Sequence, residues 1–358
     1  MDDDTPPPRT VLATAPVRIC DLGGWTDTWF AGHGAVFHIA VIPGVAVRAT
    51  MRGSSGREDG AAAERRVSLH VTGSGAPYSF DPSDPPGRHL LLEATVAEVG
   101  LPEGVSIELA VSSGVPAGSS TGTSAALTVA LIGALDRLAG RSRSAHEVAT
   151  LAHRIETERV GHESGVQDQV AAAYGGVNYL EIPSYPQIRV TPLAMAAAVW
   201  EDLERRLVLV SLGRPHASSE VHARVIASLA GDAAAESAEL ADLRRAAAAG
   251  RAAVEHGDLG ALGRAMVANT EAQARLHPDL VSTEAQRVID IATGHGVSGW
   301  KVNGAGGEGG SVTLLCGTGS GDALAGLDQA IRDADPLFDV IPIRLSRHGL
   351  RAEWERPP

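Results

Sequence analysis

The sequence predicts an α+β fold in two halves that divide near residue 190. Three observations carry this. Period-two alternation of β-branched residues fills much of the first 110 positions, capped amphipathic helices follow, and the last fifth returns to short apolar runs. At 358 residues the chain is long enough for two domains, and no repeat of fixed period appears.

Residues 1–10 read as a mobile arm. Val17 and Ile19 open a strand that meets the Gly23-Gly24 turn, and Ala35 to Ala49 form the next. Arg52 to Arg65 reads as an exposed polar loop, because Val67, Leu69 and Val71 then resume the period of two. Helices are expected at about 89–99 and 123–139, with a strand at Val105, Ile107, Leu109 and Val111 between them. Ser144 and Glu147 spell a capping box, and Val148, Leu151, Ala152 and Ile155 make an i, i+3, i+4, i+7 stripe. His153 is placed on that helix's surface. Gly175-Gly176 turns into a strand, Val177 to Ile182, and Arg206 to Leu212 is another. Residues 217–295 are Ala-rich helix broken near Gly257–Gly260 and His277-Pro278, and strands close the chain at 311–316 and 338–346.

Composition excludes several function classes. Net charge is −13 with no basic block, which argues against nucleic acid or an anionic membrane as partner. Lysine occurs once, at Lys301, so ion pairing otherwise falls to arginine. Cys20 and Cys316 stand far apart and support neither a disulfide framework nor a cysteine zinc site. The N-terminus lacks the basic and apolar regions of a signal peptide, and no 18-residue uncharged apolar run occurs, so a cytoplasmic protein is expected.

Ser113-Gly-Val-Pro-Ala-Gly-Ser-Ser-Thr-Gly-Thr-Ser-Ala-Ala126 joins a strand to a helix. A Gly/Ser-rich loop at a helix start leaves several N–H groups unpaired at the positive end of the helix dipole, which makes an anion site. Three readings stand: a flexible turn, a phosphate loop, or a nucleophile elbow, since Gly118-Ser-Ser120-Thr-Gly122 matches G-x-S-x-G. It is neither a Walker loop nor G-x-G-x-x-G. The half-buried alternation of the preceding strand, and Thr123 and Ser124 opening the helix, favour phosphate. A second glycine-rich stretch, Lys301 to Gly310, suits close approach of backbone to a ligand or to the first loop. In Glu156-Thr-Glu158 followed by Asp168, carboxylates could hold a metal and supply a base, but helix geometry does not choose between Glu156 and Glu158. Arg18 before Gly23-Gly24 and Asp27 suits a hydroxylated ligand; a structural turn is the plain alternative.

In this order, residues 15–28, 116–126, 165–169 and 301–310 resemble the GHMP family of small-molecule kinases, and most of all the D-glycero-D-manno-heptose 7-phosphate kinases and related sugar kinases. The resemblance implies a ribosomal protein S5 domain 2-like N-terminal domain (11–190) that binds ATP and a ferredoxin-like C-terminal domain (191–358). It also implies phosphorylation of a hydroxyl on a sugar or sugar phosphate, most likely the anomeric hydroxyl of a heptose 7-phosphate, by a monomer or a homodimer. By that resemblance Asp168 is the catalytic carboxylate and Arg18 its partner. Pro116, Gly118, Ser119, Ser120, Gly122, Thr123, Ser124, Gly304, Gly306 and Gly307 bind the nucleotide. Ser124 and Glu156 hold Mg²⁺, and Gly24, Thr26, Asp27, Gly165 and Gln169 hold the substrate.

The second motif departs from the usual Gly-Leu-Gly-Ser-Ser: Ser120 and Thr121 stand for Gly-Leu, which argues against an unusual backbone angle at 120. Glu308 interrupts the third motif, and Trp25 replaces a glycine beside the sugar site. The alternatives are a kinase for a free sugar such as fucose or galactose, a serine hydrolase using Ser120, and a catalytically silent sugar sensor.

Overall fold

A computed structural model describes residues 9–53, 67–102, 105–214, 224–227, 237–307, 309–317 and 321–356. The arm at 1–8, most of the 52–65 loop, Glu308 and parts of the 217–295 helical region lie outside these. In chain order the elements are β1 (Arg9–Leu22), β2 (Gly34–Gly53), β3 (Val67–Val71), β4 (Tyr78–Phe80), α1 (Leu90–Val99) and β5 (Val105–Ser113). Then come α2 (Thr123–Leu138), α3 (Ala145–Arg154), a π-helical turn (Ile155–Arg159), α4 (Gln167–Tyr174), β6 (Val177–Ser184) and β7 (Gln187–Pro192). The second half holds α5 (Ala197–Arg206), β8 (Leu207–Ser211), α6 (Ala238–Glu255), α7 (Leu259–Leu276) and α8 (Thr283–Gly294). It ends with β9 (Val297–Val302), β10 (Ser311–Cys316), α9 (Gly321–Ala334), β11 (Asp339–Ile341), β12 (Arg344–Leu345) and β13 (Arg351–Trp354).

The first sheet runs β13-β1-β2-β5-β3-β4. Its long central strand, β2, also pairs with β6 and β12. The alternation read along Val105–Val111 is real: Ile107, Leu109 and Val111 are buried while Glu108 and Ala110 face out. The inward face packs under α2, almost wholly buried from Ala125 to Leu138. The capping box at Ser144 and Glu147 is made in both directions.

The second sheet has the order β11-β8-β10-β9, all antiparallel. Numbered along the chain this is 4-1-3-2, with helices before the second strand and between the third and fourth, the ferredoxin-like arrangement expected for this half. Helices α8 and α9 cover one face through Val288, Ile289, Leu327 and Ile331. Residues 344–354 behave differently from the rest of the second half, because β12 and β13 pair with β2 and β1 of the first sheet. His153 is buried rather than on the surface, and its Nε2 lies 2.8 Å from the Tyr185 hydroxyl.

On the other face of the second sheet, α7 lies against β9 with backbone on backbone. A Cβ added at Gly299 would fall 2.4 Å from the Gly263 Cα, and one at Gly263 would fall 2.5 Å from the Ser298 oxygen. This closeness brings Asn269, Thr270 and Gln273 of α7 to the seam between the two sheets. There Asn269 Oδ1 accepts from Gly23 N at 2.7 Å, and Gln273 Nε2 donates to the Gly304 oxygen at 3.4 Å. Gly299→Ala should therefore push the helix off its strand and cost about 1–3 kcal/mol, read as a lower urea midpoint at unchanged m-value.

Candidate active site

The seam gathers four chain segments. The end of β1 carries Arg18, Cys20 and Asp21, and the 115–122 loop leads into α2. The start of α4 carries Gln167 and Asp168, and residues 303–307 follow β9. Arg18 grips Asp168 through two bonds, Nε to Oδ1 at 2.8 Å and Nη2 to Oδ2 at 3.3 Å. Its Nη1 donates to the Ser120 carbonyl, and its backbone N–H donates to the Thr121 oxygen at 2.9 Å. Arg18 is buried while the Asp168 side chain keeps 27% exposure, so the carboxylate is held on one side and open on the other. Burial works against the Arg18 charge, but Asp168 and Asp21 outweigh it and hold the guanidinium firmly protonated.

Helix α2 starts at Thr123 behind Gly122, which adopts a left-handed φ of 73° and offers no side chain to cap the first turn. The first-turn donors of a 16-residue helix are thus left open to a ligand. A Cβ at Gly122 would sit 3.0 Å from the Asp168 carboxyl carbon, so the loop and the carboxylate share one wall. The Ser120 backbone is left-handed, φ 54°, against the expectation of ordinary geometry there. Its carbonyl is turned onto Arg18, which accounts for holding a non-glycine residue in that region.

Pro116 and Ser124 are exposed, Gly118 and Thr123 half-buried. Ser119 is buried and its hydroxyl is spent on the Pro116 oxygen at 2.7 Å. Of the third-motif glycines, Gly304 reaches the loop: a Cβ there would lie 3.0 Å from the Ser120 oxygen and 3.2 Å from Arg18 Nη2. Gly306 and Gly307 instead fold against the Leu280 carbonyl.

The π-helical turn after α3 separates the two glutamates that periodicity could not. Glu156 is turned inward, where Gln169 Nε2 (2.7 Å) and Ser164 Oγ (3.3 Å) donate to its Oε2; Glu158 is exposed. Burial, helped by the Asp168 charge, pushes the Glu156 carboxyl up to about 7. Asp27 is buried over Gly165 and accepts from Gln167 N at 3.1 Å. Desolvation raises it to about 6, only partly offset by that N–H. Thr26 does not face the cleft, since its hydroxyl bonds the Gly23 and Ala35 carbonyls. Gly24 lies beside Asp21 and Gln167. A cleft lined by Arg18, Trp25, Asp27, Gly165, Gln167 and Asp168 opens at this point. Gln167 was not singled out from sequence; its side-chain carbonyl is buried there with no hydrogen-bond partner.

Three further residues escaped the sequence reading. Asp21 accepts from Gly304 N with both oxygens (3.1 and 3.0 Å) and pairs with Lys301 Nζ at 3.3 Å. Asn303 takes Cys20 N–H at 3.1 Å and donates to Ser311 Oγ, which in turn donates to the Ser119 oxygen at 2.6 Å. The singular lysine was the one available signal. The Ser120 carbonyl is engaged by Arg18, and the described contacts of this loop include no Ser-His pairing of the kind a serine hydrolase uses.

Residues 89–176 match the family described as GHMP kinases N terminal domain. That stretch of the chain is similar to the GHMP kinase N-terminal domain. Over 105 residues it is 37% identical to D-glycero-alpha-D-manno-heptose 7-phosphate kinase of Campylobacter jejuni, covering 29% of this chain and 31% of that one. Over 75 residues it is 48% identical to mevalonate kinase of Methanothermobacter thermautotrophicus, covering 21% and 24%. The match thus spans about a third or less of these curated relatives. The likeness of fold extends over nearly the whole chain. A D-glycero-D-manno-heptose 1-phosphate kinase structure from Bacteriodes thetaiotaomicron superposes with TM-score 0.70 at 20% identity, over 97% of this chain and 100% of the other.

The Asp27 shift has a measurable consequence. A carboxyl raised from 3.8 to about 6 holds an extra proton in the folded state, so its burial costs almost nothing at about pH 3 and about 3 kcal/mol above about pH 6. Asp27→Asn should therefore raise the melting temperature at pH 7.5 relative to wild type, with the gain falling to about a third in melts at about pH 4.5 and vanishing near about pH 3.

Proposed function

We propose that this chain transfers the γ-phosphoryl group of ATP to a hydroxyl of a sugar or sugar phosphate. The observation that carries the reading is the Arg18–Asp168 pair set against the uncapped first turn of α2. Phosphoryl transfer asks mainly for positioning and charge neutralisation, and this wall supplies both. The 116–124 loop takes the phosphates on its backbone N–H groups, with Gly304 closing over it. Asp168, fixed by Arg18 and open to the cleft, orients the attacking hydroxyl and receives its proton. Arg18 faces the charge that builds on the transferred group. Asp27 and the free Gln167 carbonyl accept from sugar hydroxyls. Residues 11–190 would serve the nucleotide and 191–358 would complete the site.

Among the described residues no three His, Cys, Asp or Glu side chains group to hold a metal alone. A Mg²⁺ ion would take Glu156 and Ser124 and fill its remaining positions from phosphate oxygens and water, as hard cations do. The fit is good: Glu156 is a half-buried oxygen ligand, and cation charge would offset the burial that now favours its protonated form. When bound, the ion neutralises phosphate charge.

The heptose 7-phosphate assignment draws on the Campylobacter relative. A second reading, a neutral sugar, has its own support: among the described residues lining the cleft Arg18 is the sole cation, and Asp168 already engages it. Arg214 and Arg275, two arginines of the second half that could serve a distal phosphate, pair with Glu284 and Asp242. ADP release with Mg²⁺ across heptose phosphates, fucose, galactose and mevalonate decides between them. No turnover on any acceptor, with ATP-insensitive labelling of Ser120 by a fluorophosphonate, would overturn the kinase reading. In the active screen, Asp168→Asn should lower kcat by about 10³-fold or more while nucleotide affinity by calorimetry changes little.

A further inference from the structure

Lysine appears once in 358 residues, against 29 arginines, and the structure buries it completely. A chain that uses guanidinium at every other basic position keeps a compact ammonium here, at a fully buried site. Lys301 Nζ reaches Asp21 Oδ1 at 3.3 Å and also donates to the Val302 carbonyl. Asp21 is itself fully buried. The groups that face this ammonium are Asp21, Arg18 and the Cys20 thiol of β1, with Thr270 of α7 behind the strand.

The pair matters because Arg18 stands within Coulombic reach of three carboxylates, Asp168, Asp21 and, more weakly, Asp27. Of the two that act on it most, only Asp168 is open to the cleft. We propose that Lys301 is a positioning residue that neutralises Asp21 and so reserves Arg18 for Asp168. The inference rests on the kinase reading for its consequence in turnover, but its electrostatic content does not. Without the ammonium, a buried Asp21 holds one backbone N–H from Gly304 and an uncompensated charge, and the nearest remaining cation is Arg18. Arg18 then leans toward Asp21, the two-bond grip on Asp168 loosens, and the Ser120 carbonyl loses its partner. Burial lowers the affinity of Lys301 for its proton, and Asp21 offsets part of that loss.

The two ends of the pair make different predictions. Lys301→Met and Asp21→Asn both break the same buried ion pair, and both should lower the melting temperature. A merely structural pair predicts similar loss of turnover in both. Reservation of Arg18 predicts asymmetry. Lys301→Met should lose about 30-fold or more in kcat, whereas Asp21→Asn should lose about threefold or less, with a raised KM for ATP because Gly304 is held less firmly. The double variant, in which no buried charge competes for Arg18, should regain most of the kcat lost in Lys301→Met. Equal kcat losses in the two single variants, or no regain in the double, would overturn the proposal. Inactivity of the wild-type protein on every acceptor would instead sink the kinase reading.

A second measurement needs neither turnover nor a folded variant. Lysine labelled with ¹³C at Cε gives a single side-chain signal in this protein, and its chemical shift at pH 7.5 should be that of the ammonium form. A neutral amine at that pH could not neutralise Asp21, and the proposal would fall.

Discussion

Arg18 is bound on four sides by groups from three remote stretches of chain, and the geometry of the seam follows from where it points. Its guanidinium joins Asp168 of α4 to the Ser120 carbonyl of the phosphate-type loop, its backbone N–H holds Thr121, and Gly304 closes against its Nη2. A guanidinium can do this because its donors form a rigid fork that serves a carboxylate with one edge and a carbonyl with another. The surrounding residues act chiefly to keep that fork aimed. Asn303 and Ser311 tie the second sheet to the loop through Cys20 and Ser119, and Asn269 of α7 fixes the turn that follows β1.

Backbone strain is concentrated at the same place. Among the described residues, the non-glycine residues with left-handed φ are Cys20, Trp25 and Ser120, and all three border the seam. Strain of this kind persists only where neighbours over-determine it. Here they do: the Cys20 N–H is held by Asn303, and the Ser120 carbonyl by Arg18. The loop is therefore built in advance rather than shaped by its ligand.

Local features were legible in the sequence. The β5 alternation, the Ser144–Glu147 box and the loop opening α2 each depend on residues within one turn or one strand, and each appears as read. The motif order also indicated which loops meet, and the fold comparison bears out the two-domain α+β architecture. What could not be read depends on contacts across long separations or on local geometry outside the regular periods. The Asp21–Lys301 pair joins positions 280 residues apart. Glu156 and Glu158 are equivalent on an ideal helix and become distinct only because a π-helical turn rotates the backbone at that point. Ser120 carried the residue-level expectation of ordinary φ, which tertiary bonding overrode. Strand β13 escaped because four residues of mixed polarity give too little pattern to detect.

That last strand bears on the order in which the molecule can assemble. Strand β1 begins at Arg9 and its outer neighbour ends at Trp354, so one flank of the first sheet is closed by a strand from beyond the whole second sheet. Until then β1 presents a row of unpaired N–H and C=O groups. The emerging chain must carry an unfinished sheet until that strand arrives, and pairing of such distant partners is slow. A chain cut short before residue 351 would keep every candidate catalytic group yet expose a sticky edge, so loss of the final strand should appear first as aggregation rather than as a failure of chemistry.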